Sequence, residues 1–152
     1  MEYWDGKNIL ELKKSKNQDV YYLCNILHRE DGPALIKYFI DGSIRETYYF
    51  NQRIHRKDGP AVIEYLNDGN INVEIYYNNG TRHRKDGPAL IEYDNNNSKL
   101  IEVYYLNGEL HRIDGPAIID YNFNFSKYWF NGIEFDPNEL PFEMPIDSEE
   151  KE

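Results

Sequence analysis

Apolar and polar residues alternate along most of this chain with the two-residue period of a β-strand. Four segments carry the pattern first: Ala34-Ile36-Tyr38, Ala61-Ile63-Tyr65, Ala89-Ile91-Tyr93 and Ala117-Ile119-Tyr121. Small, β-branched and aromatic side chains at every second position predict a strand with one buried face. A second alternating segment follows each of the first three. Val73, Ile75 and Tyr77 share one side against Glu74 and Tyr76; Ile101, Val103 and Tyr105 stand against Glu102 and Tyr104; Arg45, Thr47 and Tyr49 stand against Glu46 and Tyr48. The residues between the two segments are Asp41-Gly42, Asp68-Gly69 and Asn96-Asn97, types that tolerate the positive φ of a tight hairpin. Each pair of segments therefore predicts a β-hairpin. The second strand ends at Asn79-Gly80, Asn107-Gly108 and Asn131-Gly132, whereas Asn51-Gln52 fills that slot in the first copy and predicts a less ideal turn.

The hairpins are phased by a phrase, His-Arg-x-Asp-Gly-Pro-Ala, beginning at His28, His55, His83 and His111 with spacings of 27, 28 and 28 residues. A fixed period in this range marks an array of stacked units rather than one closed core. The expected fold is all-β: an elongated, single-layer antiparallel sheet of about four repeated hairpins, preceded by a degenerate half-repeat at Tyr21 to Leu27. Three regions follow: an N-terminal cap over 1–19, the array over 20–135 and an acidic, proline-containing tail over 136–152. The cap reads equally well as a short strand or one helical turn around Ile9, Leu10 and Leu12. The last copy is short, with seven residues from Tyr121 to Tyr128 where the middle copies have eleven. Equivalent positions in successive two-strand units should lie about 10 Å apart, and four to five units make a sheet roughly 40–50 Å long.

The run Tyr76-Tyr77-Asn78-Asn79-Gly80-Thr81-Arg82-His83-Arg84-Lys85-Asp86-Gly87, repeated from Tyr104 to Gly115, resembles the MORN repeat, and more closely its longer variant form. The resemblance covers about residues 20 to 135. The chain departs from the usual unit after the histidine, where Arg29, Arg56, Arg84 and Arg112 replace a glycine and an Asp-Gly-Pro turn follows. What the resemblance implies is a single-layered, rod-like antiparallel sheet acting as a scaffold or binding surface, from a viral or bacterial source. The N-terminal Met-Glu-Tyr-Trp-Asp-Gly has neither the basic start nor the apolar stretch of a secretory signal, so the expected compartment is inside the cell, the host cytoplasm or the virion if the source is viral. Such repeats accompany many activities, so the repeat alone names no function.

Charge narrows the partners. The formal net charge is −10, but residues 134 to 152 hold eight acidic side chains against Lys151, leaving the remainder with 19 acidic and 16 basic residues. Phosphate neutralisation needs a basic surface, and none is visible over the whole chain, which speaks against nucleic acid. The phospholipid binding suggested for MORN repeats fits a pI of about 4.9 poorly, and no apolar run is long enough to span a membrane. The single cysteine, Cys24, allows no internal disulfide and fits a reducing compartment.

Candidate chemistry is read against the repetition. Histidines about 10 Å apart cannot converge on one ion at about 2 Å, so His28, His55, His83 and His111 are expected to pack on aromatic neighbours or bond backbone. Asp31, Asp58, Asp86 and Asp114 are expected to hold the Gly-Pro turn and pair with Arg29, Arg56, Arg84 and Arg112. Arg56, Lys57, Arg84 and Lys85 also form a small basic ladder that could read an acidic partner. The repeated Glu46, Glu74 and Glu102, with Glu64, Glu92 and Asp120, offer no unique acid–base pair and are expected to form a solvated face. No catalytic residue, metal ligand or cofactor is expected. The candidate partner surface is two tyrosine rows, Tyr48, Tyr76, Tyr104 and Tyr128, and one residue on, Tyr49, Tyr77, Tyr105 and Trp129. Adjacent residues face opposite ways, and two readings stay open: one row inside the sheet with the other exposed to a partner and Arg56 and Arg84 beside it, or both rows covering the sheet of a single-layer fold. The expected function is a non-enzymatic scaffold for protein partners, with self-association as a further mode. The alternative is an inhibitor or antitoxin-like protein that masks a partner's surface. The tail is expected to cap the last hairpin through Leu140 and Phe142, or to dock on a basic partner.

Overall fold

The computed structural model of the chain describes residues 1–139. Its strands are β1 (Glu2–Trp4), β2 (Ile9–Lys14), β3 (Gln18–Leu23) and β4 (Ile26–Leu27), followed by four copies of one unit. The first copy holds β5 (Leu35–Tyr38), β6 (Ile44–Thr47), β7 (Tyr49–Phe50) and β8 (Arg53–Ile54). The second holds β9 (Val62–Tyr65), β10 (Ile71–Ile75), β11 (Tyr77–Asn78) and β12 (Thr81–Arg82). The third holds β13 (Leu90–Tyr93), β14 (Lys99–Val103), β15 (Tyr105–Leu106) and β16 (Glu109–Leu110), and the last β17 (Ile118–Asp120), β18 (Phe125–Phe130) and β19 (Ile133–Phe135). One antiparallel sheet of 13 strands runs β1-β2-β3-β5-β6-β9-β10-β13-β14-β17-β18-β19, with β4 attached to β3. Twelve strands at about 4.8 Å apart make it roughly 50 Å long. No helix occurs among the described residues, so none is long and apolar enough to cross a membrane.

Each unit contains two hairpins, where the alternation alone predicts one. The main hairpin closes through a type I-like turn ending in a residue with positive φ: Gly42, Gly69 and Asn97. In the first copy, for example, the Gly42 N–H donates to Phe39 O and the Phe39 N–H to Ser43 O. The second strand then breaks at one tyrosine. The N–H groups of Tyr21, Tyr48, Tyr76 and Tyr104 donate across the main sheet to Ala34, Ala61, Ala89 and Ala117. Their carbonyls instead accept from His28, His55, His83 and His111 inside the same unit. The tyrosine is thus a pivot between the sheet and a small hairpin set off from it.

All five small hairpins turn through two consecutive residues with positive φ, the signature of a type I′ turn. Cys24-Asn25 has φ of 49° and 63°, Asn51-Gln52 47° and 65°, and Asn79-Gly80 49° and 89°, with Asn107-Gly108 and Asn131-Gly132 alike. The Asn51-Gln52 turn therefore keeps the shape of the Asn-Gly turns without the glycine. The reason is register, since two residues between paired strands of right-handed twist admit little else.

The two faces of the sheet have separate chemistry. On one face, Val20, Leu35, Thr47, Val62, Ile75, Leu90, Val103 and Ile118 follow one another in register. On the other, acids and isoleucines alternate: Asp19, Ile36, Glu46, Ile63, Glu74, Ile91, Glu102 and Ile119. The four phrase alanines are completely buried, which leaves no room for a larger side chain where successive units meet.

The N-terminal residues resolve as strands. β1, β2 and β3 form a meander on the same sheet, and Leu10, Leu12 and Tyr21 bury together against Tyr3 and Leu23. The array closes differently at its other end. Histidine follows the pivot tyrosine by seven residues in every earlier unit, but Phe135 occupies that slot after Tyr128, its ring 5.8 Å from the Tyr128 ring. The expected docking of Leu140 and Phe142 falls outside the described residues.

Candidate functional site

The phrase His-Arg-x-Asp-Gly-Pro-Ala forms a loop beside each small hairpin, and every residue type in it has a physical task. Each histidine Nδ1 accepts the backbone N–H of the first turn residue in the next unit: Asn51 at 3.2 Å from His28, Asn79 at 3.2 Å from His55, Asn107 at 3.1 Å from His83 and Asn131 at 3.2 Å from His111. In the first and last copies the same Nδ1 also lies 3.0 and 2.6 Å from the side-chain Oδ1 of Asn51 and Asn131, a contact whose donor depends on the ring tautomer. The rings of His28 and His111 also pack on Phe50 and Phe130, with centroids 4.9 and 4.7 Å apart. The histidines are thus staples between units. Among the described residues no three His, Cys, Asp or Glu side chains gather as a metal site requires.

The arginine is clamped onto its own pivot tyrosine. Arg29, Arg56, Arg84 and Arg112 lie 4.1, 4.0, 3.9 and 4.0 Å from the ring centroids of Tyr21, Tyr48, Tyr76 and Tyr104. A guanidinium over an aromatic face contributes about 0.5–2 kcal/mol, more as water is excluded. In each copy Nη1 also donates to the proline carbonyl four residues on, at 3.2 to 3.3 Å. The guanidinium therefore passes over the intervening glycine. A Cβ at Gly32 would come within 2.8 Å of Arg29 Cζ, and at Gly59, Gly87 and Gly115 within 3.3, 3.4 and 3.2 Å of Arg56, Arg84 and Arg112 Cζ.

The aspartates divide into two groups. Arg29 Nε donates to Asp31 at 2.7 Å and Arg112 Nε to Asp114 at 2.8 Å. Burial alone would raise the Asp31 carboxyl, but the bonds from Arg29 and Tyr3 outweigh it and hold it below the usual carboxylate range. The Arg112 bond likewise holds Asp114 low. Arg56 and Arg84 make no ion pair with Asp58, Asp86 or any other described residue. The Arg–Asp pair expected in four copies is present in the two outer ones.

The expectation of a solvated acidic face is overturned for Glu46, Glu74 and Glu102. Each accepts the phenol of the next unit's first strand: Tyr65 to Glu46 at 3.4 Å, Tyr93 to Glu74 at 2.9 Å and Tyr121 to Glu102 at 2.8 Å. Tyr38 and Asp19 make the same bond at 3.4 Å. Asp19 and Glu102 are buried, and Glu46 and Glu74 are half-buried beside isoleucines. Lys99 further neutralises Glu102 at 2.5 Å. Burial and the neighbouring Glu46 charge push the Tyr65 phenol up to about 12, and Tyr93 shifts the same way through burial and its bond to Glu74. Glu64, Glu92 and Asp120, on the opposite side of the strand, are also half-buried, with Arg45 paired to Glu64.

The two tyrosine rows are both half-buried, so the reading that divides them into an inner and an outer row does not hold. Tyr48, Tyr76 and Tyr104 are roofed by arginine, and burial raises their phenols while that arginine pulls the other way. In the second row, Arg82 bridges Tyr77 and Tyr105, donating to their hydroxyls at 3.5 and 3.3 Å. Tyr49 and Trp129 present carbonyls to the backbone N–H groups of Arg29 and Arg112. Tyr128 lies against Phe135 at the end of the array.

Between successive phrase loops the surface opens into three clefts in a row. The first is lined by Arg29, Tyr48, Phe50, His55, Arg56 and Lys57, the second by Arg56, Lys57, Tyr76, Tyr77, Arg84 and Lys85, and the third by Arg84, Lys85, Tyr104, Leu106, Arg112 and Ile113. Their floors are pivot tyrosines and their walls are charged. Sequence reasoning found the residues but not the clefts, because a cleft needs two loops brought side by side. No protein-family model matches the sequence, and no curated protein matches it.

Proposed function

We propose that the chain is a non-enzymatic repeat scaffold of the long MORN type that holds a protein partner along the row of clefts between its phrase loops. One observation carries the reading: the same aromatic floor and charged wall recur three times along one line, Tyr48, Tyr76 and Tyr104 beneath Arg56, Arg84 and Arg112. A recurring surface suits a linear partner, whereas catalysis concentrates unlike groups at one point. The repeated carboxylates Glu46, Glu74 and Glu102 are engaged with tyrosines in the same way in successive units, which supports a structural role for them. Of the second aromatic row, Tyr49, Tyr77, Tyr105 and Trp129, it is Tyr77 that lines a cleft, the central one, and Tyr128 continues the first row against Phe135.

The test is affinity capture with the full chain, followed by mass spectrometry and repeated with Lys57→Glu/Lys85→Glu. A scaffold retains a protein that the double variant loses. A single stoichiometric partner whose own activity falls on binding would favour the inhibitor reading. Retention that ignores both lysines would count against the clefts as the binding surface.

A further inference from the structure

We infer that Arg56 and Arg84 are a pair of carboxylate receptors, set to take two acidic side chains three residues apart on a partner segment in polyproline II conformation. The inference rests on the partner-binding reading above and names the chemistry of that partner.

The argument begins with four copies of one guanidinium. Stacking on the pivot tyrosine and the Nη1 bond to the proline carbonyl fix its plane in every copy. The Nε and Nη2 donors remain, and together they form the edge that meets a carboxylate with two parallel bonds. In the first copy this edge is used within the chain, Nε by Asp31 at 2.7 Å and Nη2 by the Tyr3 hydroxyl at 2.9 Å. In the fourth copy Asp114 takes Nε at 2.8 Å. Asp31 and Asp114 thus show a carboxylate held at Nε, in each case by one bond. In the second and third copies neither donor has an acceptor among the described residues.

The residue after the arginine changes at the same two places. It is Glu30 and Ile113 in the outer copies but Lys57 and Lys85 in the middle ones. Glu30 is itself paired with Lys7, while Lys57 and Lys85 are exposed and form no ion pair with a described residue. The central cleft therefore gathers Arg56, Lys57, Arg84 and Lys85 against Asp58 and Asp86. This local excess of positive charge sits on a chain of net charge −10.

Spacing selects the conformation of the ligand. Equivalent groups two strands apart are separated by about 9.6 Å. A polyproline II segment brings every third residue to the same side at about 9.3 Å. A β-strand sends residues three apart to opposite sides. A nucleic acid fits less well. Base stacking needs free aromatic faces, and Tyr48 and Tyr76 each already carry an arginine.

The test is fluorescence anisotropy of a labelled (Glu-Pro-Pro)4 peptide with the full chain. The controls are a peptide of the same composition with its glutamates adjacent and a 12-nucleotide oligothymidine. The spaced peptide should bind saturably, and the clustered peptide on the order of tenfold more weakly. Arg56→Lys/Arg84→Lys should weaken binding on the order of tenfold although charge is kept, because an ammonium cannot supply two parallel bonds in a fixed plane. Lys57→Glu/Lys85→Glu, at exposed positions, should abolish binding with the circular dichroism spectrum unchanged, and it decides the matter if the arginine variant unfolds. Equal binding of the two peptides, a folded arginine variant that binds normally, or tighter binding of the oligonucleotide would overturn the inference. A captured partner that needs Lys57 and Lys85, with no binding of the spaced peptide, would sink the carboxylate receptors alone. Absence of both would sink the scaffold reading with them.

Discussion

The Nδ1 atom of His111 accepts the backbone N–H of Asn131 across the joint between the last two units, at 3.2 Å. The His111 ring is buried and stacked on Phe130, so removing it strands a backbone donor and opens a cavity together. An orphaned backbone group in a buried setting costs about 1–3 kcal/mol. His111→Ala should lower the urea midpoint by an amount in that range. His83→Ala should cost less, because His83 is half-buried where His111 is buried, and its bond to Asn107 is open to water that can replace the ring nitrogen. Equal losses at the two sites would mean that the bond is not what the histidine contributes.

Gln52 sits at φ 65° in the turn position where three other units place glycine. A side chain in this region costs roughly 1–2 kcal/mol, partly offset by the greater freedom glycine has in the unfolded chain. Gln52→Gly should therefore stabilise the protein, raising its thermal midpoint by a few degrees, as would be expected for about 0.5–1 kcal/mol in a chain of this size. A fall in the midpoint would show that Gln52 contributes contacts that outweigh its backbone strain.

Glu74 and Tyr93 are joined by a bond of 2.9 Å between adjacent units. A double-mutant cycle with Glu74→Ala and Tyr93→Phe should give a coupling of about 1 kcal/mol, with Glu74→Gln closer to wild type because an amide oxygen still accepts. A coupling near zero would reduce the bond to a surface accident.

Alkaline unfolding should be steep. Tyr65 is pushed up to about 12 and Tyr93 in the same direction, so the folded state holds these protons more tightly than the unfolded chain does. Their contribution is fully present below the ordinary tyrosine value of about 10 and is lost as pH rises through the folded-state values. Urea midpoints from pH 9 to 12, followed alongside phenolate absorbance, should fall across that window, and Tyr65→Phe should flatten the fall. A midpoint independent of pH up to 12 would contradict it.

Strands and turns were legible because each depends on residues close in sequence. The alternation at Ala61-Ile63-Tyr65 and the positive-φ residues at Asn79-Gly80 each declare a local geometry. The break at Tyr48, Tyr76 and Tyr104 was hidden, since a strand that pivots carries the same alternation as one that does not. The Glu46–Tyr65 bond was hidden for another reason. Both partners repeat, but which tyrosine meets which glutamate depends on the register between two units. Arg56 and Arg84 looked like Arg29 and Arg112 because the Asp two residues on is present in all four. Only geometry separates the pairs that close from those that remain available.

The joints themselves carry a lesson about growth. Every unit hands the next the same alanine, histidine and turn contacts, so gene duplication of one whole copy meets a partner surface it already fits. An insertion of 28 residues in phase should extend the sheet by one unit and one cleft, whereas a single inserted residue would misalign everything beyond it. Phe135 stands where the earlier units place a histidine, with its ring against Tyr128. The number of units is thus adjustable in this architecture without any change to the joint between them.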